Sequence, residues 1–415
     1  PHLPVLVVCP KSVLDVWALE FKKGSPDLRV LVLHDRDLFD LNLVMTQIDV
    51  VVMNYAQMRG FDGELAAVRW LAAILDEGQH IKNPDSKAAK AARQIRADNR
   101  LVLTGTPLEN RLLDLWSLMT FATPGALGER AYFHRHFDRR KDPRASERLA
   151  ARLRPFLLRR TKSQVARDLP SRSEENLLSE MSGRQAELYK EELARAQHMV
   201  LNSSGFDMVN RRRFAILQAL TRLRQICCHP GLVDKTAENE ESAKLTSTLE
   251  VIQGLHDEGH KVLLFSQFVS MLKIIRTKLE EMKLPYHWLT GASTDRAGIV
   301  RAFQEDENAS VFLLSLKAGG SGLNLTAASY VILYDPWWNP AVENQAIDRA
   351  HRIGQTQPVM AYRMLTKSTI EEKIMTLQHK KNLMVNNVLG EGGFTNLLEK
   401  EDFDFLFDIE SEKVV

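Results

Sequence analysis

At 415 residues the chain exceeds one ordinary domain, so two or more are expected. Its 44% hydrophobic and 26% charged residues fit an ordinary globular protein, no apolar run reaches the length of a membrane span, and the apolar start from Val5 to Cys9 lacks the flanks of a signal peptide. Three cysteines, two of them adjacent, build no disulfide framework and favour a reducing, intracellular setting, whereas the net charge of +2 hides a basic stretch from Arg130 to Arg172 with 14 Lys/Arg against 4 Asp/Glu.

Apolar, β-rich runs recur in chain order. The first group is Val5–Cys9, Val30–Leu33, Val50–Asn54, Leu71–Leu75 and Leu101–Thr104. Short buried runs alternating with helices read as parallel sheets in α/β layers. Ser12 is placed to cap a helix whose apolar face is Val13, Trp17 and Phe21. From about 126 to 245 strand signals are sparse and the segment reads as mostly helical, with a loop at Asn202–Gly205 and a polar linker from Lys235 to Ser242. The second group of strands is Val262–Ser266, His287–Thr290, Val311–Ser315, Tyr330–Tyr334 and Val359–Leu365. Leu272, Ile275 and Leu279 mark one helix among them, and Ser368-x-x-Glu371 has the pattern of a capping box opening another. The tail, Glu399–Glu412, alternates acids with Phe403, Phe405 and Phe407 and is expected to dock. The expected division is residues 1–125, 126–245, 246–390 and 391–415. The chain begins without Met directly before a strand, which reads as a fragment.

Some of these positions carry chemistry. Asp76-Glu77 closes a buried strand, where parallel sheets gather their polar groups. An Asp there can hold Mg²⁺ through water and the neighbouring Glu can activate the attacking water. The bland alternative is an exposed acidic turn. Thr104-Gly105-Thr106-Pro107 follows the next strand and suits a relay, or a plain turn. Gln345-Ala346-Ile347-Asp348-Arg349-Ala350-His351-Arg352 sets two arginines three residues apart on a helix turn, where each guanidinium could reach phosphate oxygens. Lys317 to Gly322 is glycine-rich, but no Gly-Lys-Ser/Thr ends it or occurs anywhere in the chain. Cys227-Cys228-His229 has no second Cys/His pair at zinc spacing, so a structural role is expected.

Taken in order, these runs resemble the Swi/Snf family of ATP-dependent DNA translocases, the chromatin-remodeller-type branch of the second helicase superfamily. The matching runs are Val8-Cys9-Pro10-Lys11-Ser12 with Trp17, Asp76 to Asn83, Leu103 to Asn110, Phe156 to Lys162, Leu223 to Pro230, Phe265 to Phe268, and the arginine run. They span about Pro4 to Leu389. The resemblance implies two RecA-like lobes with parallel sheets, joined by a mostly helical family-specific insert. It implies ATP and Mg²⁺ as cofactors, and double-stranded DNA and DNA-bound proteins as partners, without a membrane. The setting would be the cytoplasm or nucleoid of a bacterium or the nucleus of a eukaryote.

The resemblance also implies roles. Asp76 and Glu77 would be the Mg²⁺ and water-activating acids. Gln79, Thr104 and Thr106 would couple and relay the nucleotide state. Arg349 and Arg352, supported by Gln345, would reach the phosphates across a cleft lined on the lobe-two side by Gly320 and Gly322. Pro10, Lys11 and Ser12, with Asn54 and Tyr55, would meet one DNA strand. Ser266, Gln267, Thr290 and Gly291 would meet the backbone from lobe two, and Trp338 would face the DNA groove. Two departures stand out. Gly78 replaces the more usual Ala, which should be tolerated because the position is small either way. The family's phosphate-binding loop, with its Gly-Lys-Thr, is missing ahead of the first strand, so this chain alone is expected to turn over ATP negligibly. The competing expectations are a non-catalytic DNA-binding fragment or decayed paralogue, and a strand-separating helicase.

Overall fold

The computed structural model describes the chain apart from residues 1–2, 35–38, 105–111, 138–142, 159, 161–163, 165, 167, 202–205, 239, 294, 309–310, 317–322, 386–399 and 409–415. Thr106, Gly320, Gly322 and the loop at Asn202–Gly205 lie outside the described residues. The chain divides into two compact units, Pro1–Thr161 and Lys162–Leu383, the second joined by Gly393–Val415. The division falls inside the 126–245 segment. Its first helices, Arg130–His136 and Pro143–Leu153, belong to unit 1, and Gly183–Leu201 and Phe206–Cys228 to unit 2.

Unit 1 is built on strands β1 (Val5–Cys9), β2 (Val30–Val32), β3 (Val50–Asn54), β4 (Arg69–Asp76) and β5 (Arg96–Leu103). All are parallel, in the order β2-β3-β1-β4-β5. Val50 to Asn54 is buried on both faces, which is why the run reads as continuous rather than alternating. Val13, Trp17 and Phe21 pack over Val7, Cys9, Val50 and Val52, as the apolar spacing predicts. Ser12, however, does not cap. A short 3-10 turn, Lys11–Val13, comes first, and the helix Leu14–Gly24 starts from Val13 without a side-chain cap.

Unit 2 carries strands β6 (Arg172–Ser179), β7 (Val262–Ser266), β8 (Tyr286–Leu289), β9 (Val311–Ser315), β10 (Tyr330–Leu333) and β11 (Val359–Thr366). They form a parallel sheet ordered β6-β11-β10-β7-β9-β8. β6 corrects the expectation of few strands between 126 and 245. It pairs with β11 from Arg172↔Val359 to Ser179↔Thr366. Side chains alternate across the sheet: Leu263, Phe265, Phe312 and Leu314 enter one core, while Val262, Leu264, Val311 and Leu313 meet Leu272, Ile275 and Leu279 of the helix Val269–Glu281 in another.

A third core of unit 2 joins Leu220 and Leu223 to Ile370 and Ile374, with Phe403 and Leu406 of the tail helix Lys400–Leu406 and Phe407 just after it. The tail thus docks as a helix, leaving Phe405 exposed. The linker around Lys235 is packed: Asp234 accepts from Thr236 N at 2.9 Å, Ala237 is buried, and Ser242 caps the helix Ala243–Asp257. The Ser368–Glu371 capping box is displaced by one residue. Ser368 has a φ of 56°, its N–H donates to Glu372, and Thr369 Oγ1 accepts from Glu371 N at 3.2 Å. Glu371 is thereby freed to pair with Lys244, fully buried, at 2.5 Å. No helix among the described residues is long and apolar enough to cross a membrane.

Candidate active site

The register of unit 1 levels the carboxyl ends of its strands. Cys9 stands opposite Asn54, Val8 opposite Leu75, and Asp76 opposite Leu103. Pro10–Ser12, Asn54–Tyr55, Asp76–Glu77 and Thr104 therefore share one edge of the sheet, where parallel α/β folds place their sites.

At that edge Asp76 is held from several sides. Its Oδ2 accepts from Trp17 Nε1 at 2.9 Å and its Oδ1 from Glu77 N at 3.0 Å. Its main-chain carbonyl accepts from the Tyr55 hydroxyl at 2.7 Å. Glu77 adopts a left-handed conformation, φ 51° and ψ 55°, which is sparsely populated for a residue with a side chain. Its Oε2 accepts from Gln79 Nε2 at 2.7 Å, and Gln79 Oε1 accepts from Thr104 Oγ1 at 3.1 Å. Glu77, Gln79 and Thr104 thus form one hydrogen-bonded chain. Gly78 between them is tightly enclosed: a Cβ would lie 2.2 Å from Val102 Cγ1. Gly78 leaves the turn room against β5 that a side chain at this position would take.

Asn54 and Tyr55 are buried rather than presented to a partner. Asn54 Oδ1 accepts from Ala56 N at 2.9 Å and Gln57 N at 3.0 Å, closing a capping box over the helix Tyr55–Gly60. The Tyr55 ring stacks on His80 at 4.5 Å. Burial, and then the neighbouring Asp76, push the Tyr55 hydroxyl well above its ordinary pKa, so it remains a donor. The same causes push the Cys9 thiol up to about 12. Lys11 is exposed, and Pro10 and Ser12 are half-buried.

In unit 2 the corresponding strand ends are less open than the sequence suggests. Ser266 is buried, with its hydroxyl donating to Asp335 Oδ1. Thr290 is buried, with its N–H donating to Ser293 Oγ at 3.1 Å; Gly291 beside it is exposed. Gln267 is half-buried, and its Oε1 accepts from Arg224 at 3.1 Å. Arg224, itself buried, also donates to Pro336 O and lies 5.3 Å from the Trp338 ring. Trp338 is half-buried and packs against the helical core. Sequence reasoning missed Arg224, although it lies in the run Leu223–Pro230.

The arginine pair also differs from expectation. The helix Pro340–Ile347 ends before it, and Arg349 and Arg352 sit in the successive turns that follow. Arg349 is buried and Arg352 exposed, with Gln345 half-buried on the helix. The run is anchored from β6: Arg172 donates to Asn344 Oδ1 at 2.5 Å and pairs with Asp348 at 3.5 Å, and His351 Nε2 donates to Pro170 O at 2.8 Å.

No group of three or more His, Cys, Asp or Glu gathers as for a metal among the described residues. His229 beside the cysteine pair instead accepts from Gly231 N at 3.0 Å. Mg²⁺ held through water by one carboxylate and by phosphates needs no such cluster. Asp76 fits that task, since each of its oxygens takes one donor and keeps a further lone pair.

A parallel sheet carrying an acid pair at its carboxyl edge, followed by a second parallel sheet with an arginine run, has the parts of a helicase-type nucleotide hydrolase. Residues 2–232 match the SNF2-related domain and residues 243–354 the helicase conserved C-terminal domain. The chain belongs to the SNF2-related family. It is 36% identical, over 98% of its length, to a putative ATP-dependent helicase/translocase of Bacillus subtilis, YwqA, covering 45% of that protein. It is 35% identical, over 96% of its length, to the human SWI/SNF-related matrix-associated actin-dependent regulator of chromatin subfamily A member 1, covering 40% of it. It therefore spans less than half the length of these relatives. Among solved structures, the Sulfolobus solfataricus SWI2/SNF2 ATPase core domain matches with a TM-score of 0.50 and 36% identity, over 98% of this chain and 84% of that one. The two units have the RecA-like α/β fold of this family.

Proposed function

We propose that the protein is the motor portion of a DNA-stimulated ATPase that moves along double-stranded DNA inside the cell and displaces proteins bound to it. The observation that carries this reading is the chain Glu77–Gln79–Thr104 beside Asp76, at the carboxyl edge of a parallel sheet. Glu77 orients the attacking water and accepts its proton, while Gln79 and Thr104 hold its carboxylate in place. Asp76 would hold Mg²⁺ through water, and the ion when bound neutralises charge on the phosphates. Arg352, exposed, stabilises the charge that develops on the transferred phosphoryl group, and Arg349 supports it. The relatives' names, helicase/translocase and regulator of chromatin, support coupling to DNA. The 415 residues contain no Gly-Lys-Ser/Thr, so this polypeptide alone is expected to hydrolyse ATP about a thousandfold more slowly than the complete gene product.

The test is phosphate release, with and without duplex DNA, by the polypeptide, the complete gene product, and its Glu77→Gln and Arg352→Ala variants. Both variants should lose turnover by about a thousandfold, the first keeping nucleotide binding and the second keeping DNA binding. Full activity in Glu77→Gln would overturn the assignment of the base. DNA-stimulated release by the 415-residue polypeptide would overturn the need for an added phosphate loop.

A further inference from the structure

We infer that Trp17 and Tyr55 are positioning residues for the acid pair, and that the Asn54–Tyr55 segment serves the nucleotide site rather than a DNA strand. This rests on the reading of Asp76 and Glu77 given above. The peptide plane between those two residues is bonded on both sides. Its carbonyl, from Asp76, accepts from the Tyr55 hydroxyl, and its N–H, from Glu77, donates back to Asp76 Oδ1. Pinned on both sides, the plane holds Glu77 at a φ of 51°, which a residue with a side chain adopts only when its surroundings enforce it. That conformation aims the Glu77 carboxylate toward Gln79.

Tyr55 is itself fixed. The Asn54 capping box sets the start of its helix, and His80, three residues beyond Glu77, lies against its ring. Asn54 and Tyr55 are 6% and 7% exposed, so neither side chain is offered to a phosphate backbone. Trp17 acts on the other group. Its indole N–H restrains the rotation of the Asp76 carboxylate and leaves further lone pairs for a metal's water. The helix bearing Trp17 follows directly on the Lys11–Val13 turn.

The two positions act on different acids, and the experiment separates them. Trp17→Phe and Tyr55→Phe, made in the complete gene product, keep a ring in place and remove one donor each. Mn²⁺ binding in the presence of ADP is followed by the electron paramagnetic resonance of the free ion, DNA affinity by fluorescence anisotropy, and ATP hydrolysis by phosphate release. Trp17→Phe should weaken Mn²⁺ binding about tenfold, as loss of a hydrogen bond to a metal-holding carboxylate does elsewhere. Tyr55→Phe should leave Mn²⁺ binding and the KM for ATP unchanged and lower kcat about tenfold, because it releases Glu77 only. DNA affinity should stay within about twofold in both. Wild-type behaviour of both variants, an equal fall of every readout, or loss of DNA affinity in Tyr55→Phe would overturn the inference. If Trp17→Phe does not fold, Tyr55→Phe decides alone. Failure of the underlying reading shows separately, as full activity in Glu77→Gln.

Discussion

A methyl group on Gly78 would have to displace Val102 on the neighbouring strand, 2.2 Å from where it would stand. The backbone carbonyl of Leu103 and the Leu118 side chain close the remaining space at 3.6 and 3.7 Å. Gly78→Ala is therefore expected to cost about 1–3 kcal/mol, seen as a lower denaturation midpoint, and Val102→Ala in the same chain should recover most of it. A midpoint unchanged in the single variant would show that the turn yields freely. The candidate acids themselves were legible, because an apolar strand ending in two carboxylates needs only periodicity and position to be found. Asn54, Tyr55, Ser266 and Thr290 were not. Each lies at a strand end where a contact residue would also lie, and only the three-dimensional structure shows the Asn54, Tyr55 and Ser266 side chains bonded to Gln57, Asp76 and Asp335, and the Thr290 main-chain N–H to Ser293.

Among the elements, β6 was the one the sequence concealed. Arg172-Ser-Glu-Glu-Asn-Leu-Leu-Ser179 is rich in good helix formers, and its exposed middle lacks a clean alternation. Pairing overrides that preference: eight residues lie in register with β11, and Arg172 and Arg363 flank Glu174 at 2.5 Å each. Burial would raise the pKa of Glu174, but Arg363 and Arg172 outweigh it and hold the carboxyl below its ordinary range. The best-enclosed cross-link between elements is Lys244–Glu371, which ties the helix Ala243–Asp257 to Ile370–Val385 with both side chains at 0% exposure. Burial disfavours the Lys244 ammonium, yet Glu371 more than compensates and raises its pKa. Removing one partner should strand a charge: Lys244→Met is expected to destabilise unit 2 by about 3–5 kcal/mol, and Lys244→Met with Glu371→Leu to recover most of the loss. Equal unfolding midpoints for the single and double variants would count against the pair being compensated in this way.

Across the whole molecule, a net charge of +2 gives no hint of a polyanion partner, but the distribution does. The helices Arg130–His136 and Pro143–Leu153 bury Phe133, Ala145, Leu149 and Leu153 and leave Arg130, Arg135, Arg148 and Arg152 exposed, with Arg154 and Arg160 beyond them. An amphipathic helix pair with a basic outer face fits a phosphate backbone better than any single sequence. Binding of the polypeptide to duplex DNA should therefore be sequence-tolerant and fall steeply with salt. Arg135→Ala and Arg154→Ala should each reduce the slope of log affinity against log salt by about one. Salt-independent binding in an anisotropy titration, or strong preference for one duplex in competition, would contradict this.

The placement of β6 also bears on the order in which the protein takes shape during synthesis. The five described strands of unit 1 come from residues 5 to 103, so they can pair before most of the 415 residues are made. In unit 2, β11 lies between β6 and β10, and it is the last of the described strands in chain order. Until Val359–Thr366 emerges, β6 lacks the described strand it pairs with, although it was synthesised 187 residues earlier (172 against 359). At translation rates of about 5–20 residues per second that interval lasts on the order of ten seconds or more. The charges along Arg172–Glu175 give the waiting edge a guard against pairing with another chain, as charged edge strands do in finished proteins.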